Sequence, residues 1–230
     1  MSGWWVADLW QRGETVLLAS WIIWVIVSIC LHELGHGVAA IWEGDDTPRR
    51  TGHMTFNPLV HMGGFSLVAF ALIGFAWGLM PVNPNNFRHG RMGDAIVAAA
   101  GPAVNLILAL VLLTAAGVVS GAMLGGDAAP PTWAVNLQLF LATGGWLNLV
   151  LLALNLLPIP PLDGSRILAS FSDGYARMLL NPNSALIGLG IFLVLFWFTD
   201  VGMIVFGVLR GVSDLWVGIV QGIVLRLTGG

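Results

Sequence analysis

The sequence predicts an all-α polytopic membrane protein, a bundle of about four to six transmembrane helices with a re-entrant element and a short strand or loop insert. Three observations predict it. Of the 230 residues, 57% are hydrophobic and only 9% charged, with a mean hydropathy of +0.86, which is too little charge to cover a soluble domain. Uncharged apolar runs recur at lengths near the roughly 20 residues that cross a hydrocarbon core. The nine basic residues are all arginines, and most fall in a few polar links. The chain therefore reads as one membrane domain over residues 1–230, with no stretch left for an added soluble module. Cys30 is the single cysteine, so an intramolecular disulfide is excluded.

The N-terminus carries Trp4, Trp5 and Trp10 beside Asp8, Arg12 and Glu14. It lacks the basic start and cleavage pattern of a signal peptide, and its tryptophans suit the headgroup level. The first span runs over 15–42 and closes in the charged cluster Glu43, Asp45, Asp46, Arg49 and Arg50. Residues 50–62, ending Asn57-Pro58-Leu59-Val60-His61, alternate in character and read as a strand or loop. The stretch 63–80 is apolar but short and interrupted by Gly63, Gly64, Gly74 and Gly78. Residues 81–87 form a turn-rich link. A helix over 95–120 follows, then a loop, 121–132, without a basic residue. The helix at 134–157 is broken by Pro158, Pro160 and Pro161 just before Asp163-Gly164. The run 185–208 reads as another helix containing Asp200. Residues 209–228, with Arg210, Asp214 and Gln221 at helical spacing, read as an amphipathic or transmembrane helix.

The stretch 63–80 decides the topology. If it crossed, Arg88 and Arg91 would lie opposite Arg49 and Arg50. If it dips in and returns, Arg49, Arg50, Arg88, Arg91, Arg166 and Arg177 share one side, as the positive-inside rule favours. The second arrangement also brings Asp163 to the depth of the histidines described next. Residues 63–80 are therefore expected to be re-entrant, with non-helical backbone sheltered by protein, and to serve as a gate.

Within the first span, His32-Glu33-Leu34-Gly35-His36 sets three ionisable side chains in an otherwise uncharged run. Such groups are costly inside a membrane and default to function. On a helix the histidines lie one turn apart on one face and can share a metal ion. Glu33, about 100° round the helix, can reach a water on that ion without ligating it. His36 lies roughly 10 Å from the charged end of the helix, inside the membrane but near one face. A catalytic zinc site needs a third protein ligand. Asp163, after the proline-broken helix, is the best candidate, while His53, His61 and His89 lie in polar links nearer the surface. The expected set is His32, His36, Asp163 and one water around a single Zn2+, with Glu33 as general base for peptide hydrolysis. Asn155 and Asn105 are candidates for a further hydrogen bond to the transition state or substrate. Gly101-Pro102 reads as a helix-packing site.

These residues resemble the site-2 proteases, intramembrane zinc metalloproteases. The resemblance rests on His32-Glu33-Leu34-Gly35-His36, on Gly101-Pro102-Ala103-Val104-Asn105, and on residues 155–164 from Asn155 through Pro158, Pro160 and Pro161 to Asp163-Gly164. Residues 55–61 and 81–87 also look like those of short bacterial and archaeal members without PDZ or other added domains. Together these motifs cover most of residues 15–170. The resemblance implies a site-2 protease-like bundle in a bacterial or archaeal cell membrane, and the arginine placement above sets its active site near the cytoplasmic side. It implies zinc on His32, His36 and Asp163, Glu33 as base, and cleavage of membrane proteins within or near a transmembrane segment. Its implied partners are such a substrate and the lipid bilayer, not nucleic acid. One departure stands out, because His61-Met62-Gly63-Gly64 replaces the family's His-x-Asp-Pro. The alternative reading is a zinc-binding transporter or sensor using the same ligands.

Overall fold

The computed structural model describes residues 4–125 and 129–228, so residues 126–128 of the expected loop lie outside it. The described chain is helical and contains no strand. Its helices are α1 (Trp5–Gln11), α2 (Thr15–Trp42), α3 (Thr47–Arg50), α4 (Pro58–Ile73), α5 (Arg91–Leu124), α6 (Thr132–Asn155), α7 (Asp163–Phe171), α8 (Asp173–Leu179), α9 (Ser184–Trp197) and α10 (Val201–Thr228). Four of them, α2, α5, α6 and α10, are long and apolar enough to cross a membrane. This is an all-α integral membrane protein.

Helix α5 is the hub, in contact with α2, α6, α7 and α10. Glycine makes those contacts close, as helices in lipid require when packing rather than water drives them together. A Cβ on Gly35 of α2 would stand 2.8 Å from the Val104 side chain and 3.0 Å from the Ala100 carbonyl oxygen of α5. On Gly145 of α6 it would meet Leu113 Cγ at 2.5 Å, and on Gly117 and Gly121 the Cβ atoms of Val220 and Val224 at 2.6 Å. The last two pairs rise together in number, so α10 runs parallel to α5.

The stretch 50–62 is not a strand. A turn leads to Asn57, whose Oδ1 accepts the Leu59 N–H at 3.0 Å and caps a helix starting at Pro58. Asn before Pro is a helix-start signal, because Pro at the first position lacks only a donor that has no partner there. The helix kinks at Gly63 (φ 66) and ends on left-handed Gly74 (φ 74), a backbone open to glycine. The chain then returns alongside it. Ser66 Oγ accepts from Trp77 N at 2.9 Å and donates to Trp77 O at 2.8 Å, and Leu79 N donates to His61 O at 2.8 Å. Residue 79 therefore ends level with residue 61.

A second boundary also differs. The run 185–208 does not continue as one helix, because α9 stops at Trp197 and α10 begins at Val201, with Arg210 and Asp214 in its interior. Thr199 Oγ1 accepts the Val201 N–H at 3.3 Å and the Asp200 carbonyl accepts Ile204 N at 2.9 Å. Thr199 and Asp200 are thus start signals for the next helix, not polar residues inside a span.

Beyond α2, two buried carboxylates clasp the link after the hairpin. Asp45 accepts from Asn83 N at 2.6 Å, Asn86 Nδ2 at 2.8 Å and both N and Oγ1 of Thr47. Glu43 accepts from His89 N at 3.2 Å and contacts its Nδ1 at 3.0 Å, while Arg88 N donates to the Glu43 carbonyl. Burial pushes both carboxyls up. The hydrogen bonds to His89, and to Thr47, Asn83 and Asn86, outweigh it and hold both below the ordinary carboxylate range.

Candidate metal centre

One turn of α2 carries His32, Glu33 and His36, all buried. The two Nε2 atoms are 3.0 Å apart, and Asp163 Oδ2 lies 3.1 Å from the first and 3.3 Å from the second. On the far side of each ring, Nδ1 meets an oxygen: Asn105 Oδ1 at 2.6 Å from His32 and the Val97 carbonyl at 2.7 Å from His36. Those oxygens only accept, so each Nδ1 carries the proton and each Nε2 presents a lone pair. Three acceptors then face one another in a buried space, and Asp163 Oδ2 has no hydrogen-bond partner. A cation resolves this arrangement. Four-coordinate zinc, with bonds of roughly 2.0–2.2 Å to such ligands, separates its donors by about 3.4 Å, close to the spacing here. The residues fit the metal.

Gly101 of α5 makes the room. A Cβ at that position would stand 2.4 Å from His36 Nε2 and 2.6 Å from His32 Nε2. Glu33, beside the histidines, lies within electrostatic reach of His32, Asp163 and Arg166. The returning segment covers it, and a Cβ on Gly78 would come within 2.3 Å of Glu33 Oε1.

Asp163 arrives from a separate piece of chain. It is the first residue of α7, and Gly164 lets that turn rest on the end of α6, where a Cβ would stand 2.2 Å from the Leu156 carbonyl oxygen. Two ties fix α7 and α8 to the start of α5: Arg166 donates to Asp94 Oδ1 at 2.6 Å, and Arg91 bonds both Asp173 and the Ala169 carbonyl.

Helix packing brings Asn105 to the Nδ1 side of the His32 ring, away from Nε2. Its Nδ2 donates to Asn148 Oδ1 at 2.9 Å, and Asn148 Nδ2 donates to Ser28 Oγ and the Gly144 carbonyl, both at 2.9 Å. Asn105 thus orients the His32 ring. Asn155 turns back on its own helix, donating to the Leu151 carbonyl at 3.0 Å. His53, His61 and His89 bond to Thr51, Thr55 and Glu43. Among the described residues, no other three His, Cys, Asp or Glu side chains converge in this way. Sequence reasoning missed Asn148, Ser28, Gly78 and the Arg166–Asp94 pair as parts of the site. Of these, only Asn148 carried a signal, as a polar residue in an uncharged run.

A family model described as peptidase family M50 matches residues 20–199, a span that holds His32, Glu33, His36 and Asp163. Two similar proteins bear the name putative zinc metalloprotease. YwhC of Bacillus subtilis (strain 168) is 37% identical over 182 residues, covering 76% of this chain and 78% of that protein. Rip2 of Mycobacterium tuberculosis (strain ATCC 25618 / H37Rv) is 31% identical over 222 residues, covering 90% of this chain and 80% of that protein. No solved structure matches. The chain belongs to peptidase family M50, the site-2 protease family.

Proposed function

We propose that this zinc metalloprotease hydrolyses peptide bonds within or beside the transmembrane segments of other membrane proteins, through zinc held by His32, His36 and Asp163 with Glu33 as general base. The observation that carries the proposal is the acceptor-only triad, three lone pairs within 3.3 Å of one another, two of them inside the apolar helix α2 and the third at the first residue of α7. Bound zinc polarises a carbonyl and lowers the pKa of a water towards about 7. The remaining work falls to the chain's own residues. Asn105 and Val97 hold the imidazoles in the ligating tautomer. Glu33 accepts the proton of the attacking water as the new C–O bond forms, and returns it to the amine nitrogen as the C–N bond breaks. Gly78, over Glu33, keeps that proton transfer away from bulk water.

The α4 hairpin serves as the re-entrant element and gate. The return of residue 79 to the level of residue 61 supports this reading. The catalytic end faces the cytoplasm, a reading supported by Arg88 at the end of α2 and by Arg91 and Arg166 at the start of α5. The transport alternative needs a second ligand set deeper in the bundle, and nothing specific favours it.

The test is Glu33→Gln in the full chain, with zinc content and cleavage of a membrane-spanning substrate measured together. The expected result is retained zinc with cleavage lowered by about 100-fold or more. Undiminished cleavage overturns the proposal.

A further inference from the structure

Of the three candidate ligands, Asp163 has the least to hold it. The histidines share one turn of α2, and each is tied through Nδ1, to Asn105 and to the Val97 carbonyl. Asp163 Oδ2 has no hydrogen-bond partner, so the place of that oxygen depends on the backbone that delivers it. That backbone is the link 156–162, in which Pro158, Pro160 and Pro161 have no N–H to offer. Its other N–H groups turn inward or back onto α6: Leu156 to Leu152 O, Leu157 to Leu154 O, Ile159 to Leu157 O and Leu162 to Ile159 O. None of these bonds takes the carbonyl of Pro158 or Pro160.

Both carbonyls are met instead by the chain that follows α7. Tyr175, the single tyrosine of the sequence, lies in the first turn of α8 and donates its hydroxyl to the Pro158 carbonyl at 2.7 Å. The Pro160 carbonyl oxygen fills the side-chain space of Gly188 on α9, where a Cβ would stand 1.9 Å from it. Helices α8 and α9 meet at a bend of 98°, so one bent pair reaches the link at both carbonyls. The pair is itself anchored. Ser172 Oγ accepts the Tyr175 N–H at 3.3 Å, and Asp173 is paired with Arg91 of α5. One turn after Gly188 and on the same face, buried Phe192 meets Phe75 of the hairpin with ring centroids 6.4 Å apart.

We propose that Tyr175 is a positioning residue for the metal centre, setting the reach of Asp163 through the Pro158 carbonyl, with Gly188 giving the second support at Pro160. A carbonyl left without a donor among apolar helices costs free energy. The tyrosine hydroxyl satisfies it and, in the same contact, fixes the distance of the link from α8. Neither Tyr175 nor Gly188 touches a donor atom of the site, and both act through the backbone that ends at Asp163. The role presupposes the zinc reading of His32, His36 and Asp163.

The experiment titrates zinc into the full chain in detergent against a metal-chelating dye, for the unmodified protein, Tyr175→Phe, Asp163→Ala and the double variant. Phenylalanine keeps the ring and removes only the donor. Direct outer partners of metal ligands are worth about 10–100-fold in affinity. Tyr175 acts one step further out, so Tyr175→Phe should weaken zinc binding by about tenfold. In the Asp163→Ala background, where the two histidines remain, the same change should alter affinity by less than about twofold. Gly188→Ala favours the helix but displaces Pro160, and it should weaken zinc binding as Tyr175→Phe does. Unchanged zinc affinity in either single variant overturns the proposal. So does an equal loss with and without Asp163, which marks a general loosening of the fold, and so does a loss seen only where circular dichroism of the metal-free chain shows lost helicity. Cleavage enters none of these readouts, so this result and that of Glu33→Gln stand or fall separately.

Discussion

The side-chain oxygen of Asn105 sits 2.6 Å from Nδ1 of His32, and its amide nitrogen is committed to Asn148. A fully buried amide thus fixes both the orientation and the tautomer of a candidate ligand from a neighbouring helix. Outer partners of this kind typically tune metal affinity or activity by about 10–100-fold. Asn105→Leu should lower zinc affinity by that order, and Asn105→Asp, which keeps an acceptor facing His32, should recover part of it. Competition against a metal-chelating dye measures both.

Gly101→Ala isolates the space around the donors. The added methyl would lie within 2.6 Å of both Nε2 atoms, so it should displace the imidazoles and remove bound zinc while adding helix propensity to α5. The expected outcome is a protein with normal helicity by circular dichroism and metal content near zero.

The Arg166–Asp94 pair is half-sheltered, with side chains 28% and 24% exposed, so it is worth more than a surface pair but only modestly more. Arg166→Ala should lower turnover by about threefold to tenfold by loosening α7, which carries Asp163. The exchange Arg166→Asp with Asp94→Arg should return part of the loss. A double-mutant cycle on cleavage rate reads the coupling.

Stability should fall in acid through Glu43 and Asp45. Both carboxyls titrate below their ordinary range in the folded protein. Their contribution is therefore fully present above the ordinary carboxylate pKa values of about 4, and is lost as pH falls through the depressed folded values. Melting temperature should hold between neutrality and about pH 5, then drop. Asp45→Asn should melt lower at pH 7 and show a shallower acid dependence. An unchanged acid limb in that variant counts against the clasp.

Much of the site was legible because the membrane makes ionisable residues conspicuous. His32, Glu33 and His36 interrupt an uncharged helix, and Asp163 follows a proline-broken one, so patterning alone nominates all four. What the sequence hid was contact. The position of Asn105 behind His32 depends on the α2–α5 register, and Gly101 reads as packing until the imidazoles are seen against it. The start of α4 was misread for a local reason, since Asn57-Pro58 resembles a strand stop as much as a helix start. At Asp200 the assumption that an apolar run is one helix concealed a helix boundary. Short, apolar 63–80 left its path to be inferred from arginine placement, because its return rests on Ser66 and Leu79 bonds that no periodicity reveals.

Helix α5 offers no donor atom to the candidate metal, yet it touches the support of every one. Val97 steadies His36, Asn105 steadies His32, Asp94 holds the helix that carries Asp163, and Gly101 is the floor between them. It works as a common rail on which separately made parts are mounted, so that a tilt of the rail shifts the parts together and keeps their spacing. A bilayer that thickens, thins or bends around the bundle can then move the whole site without detuning it.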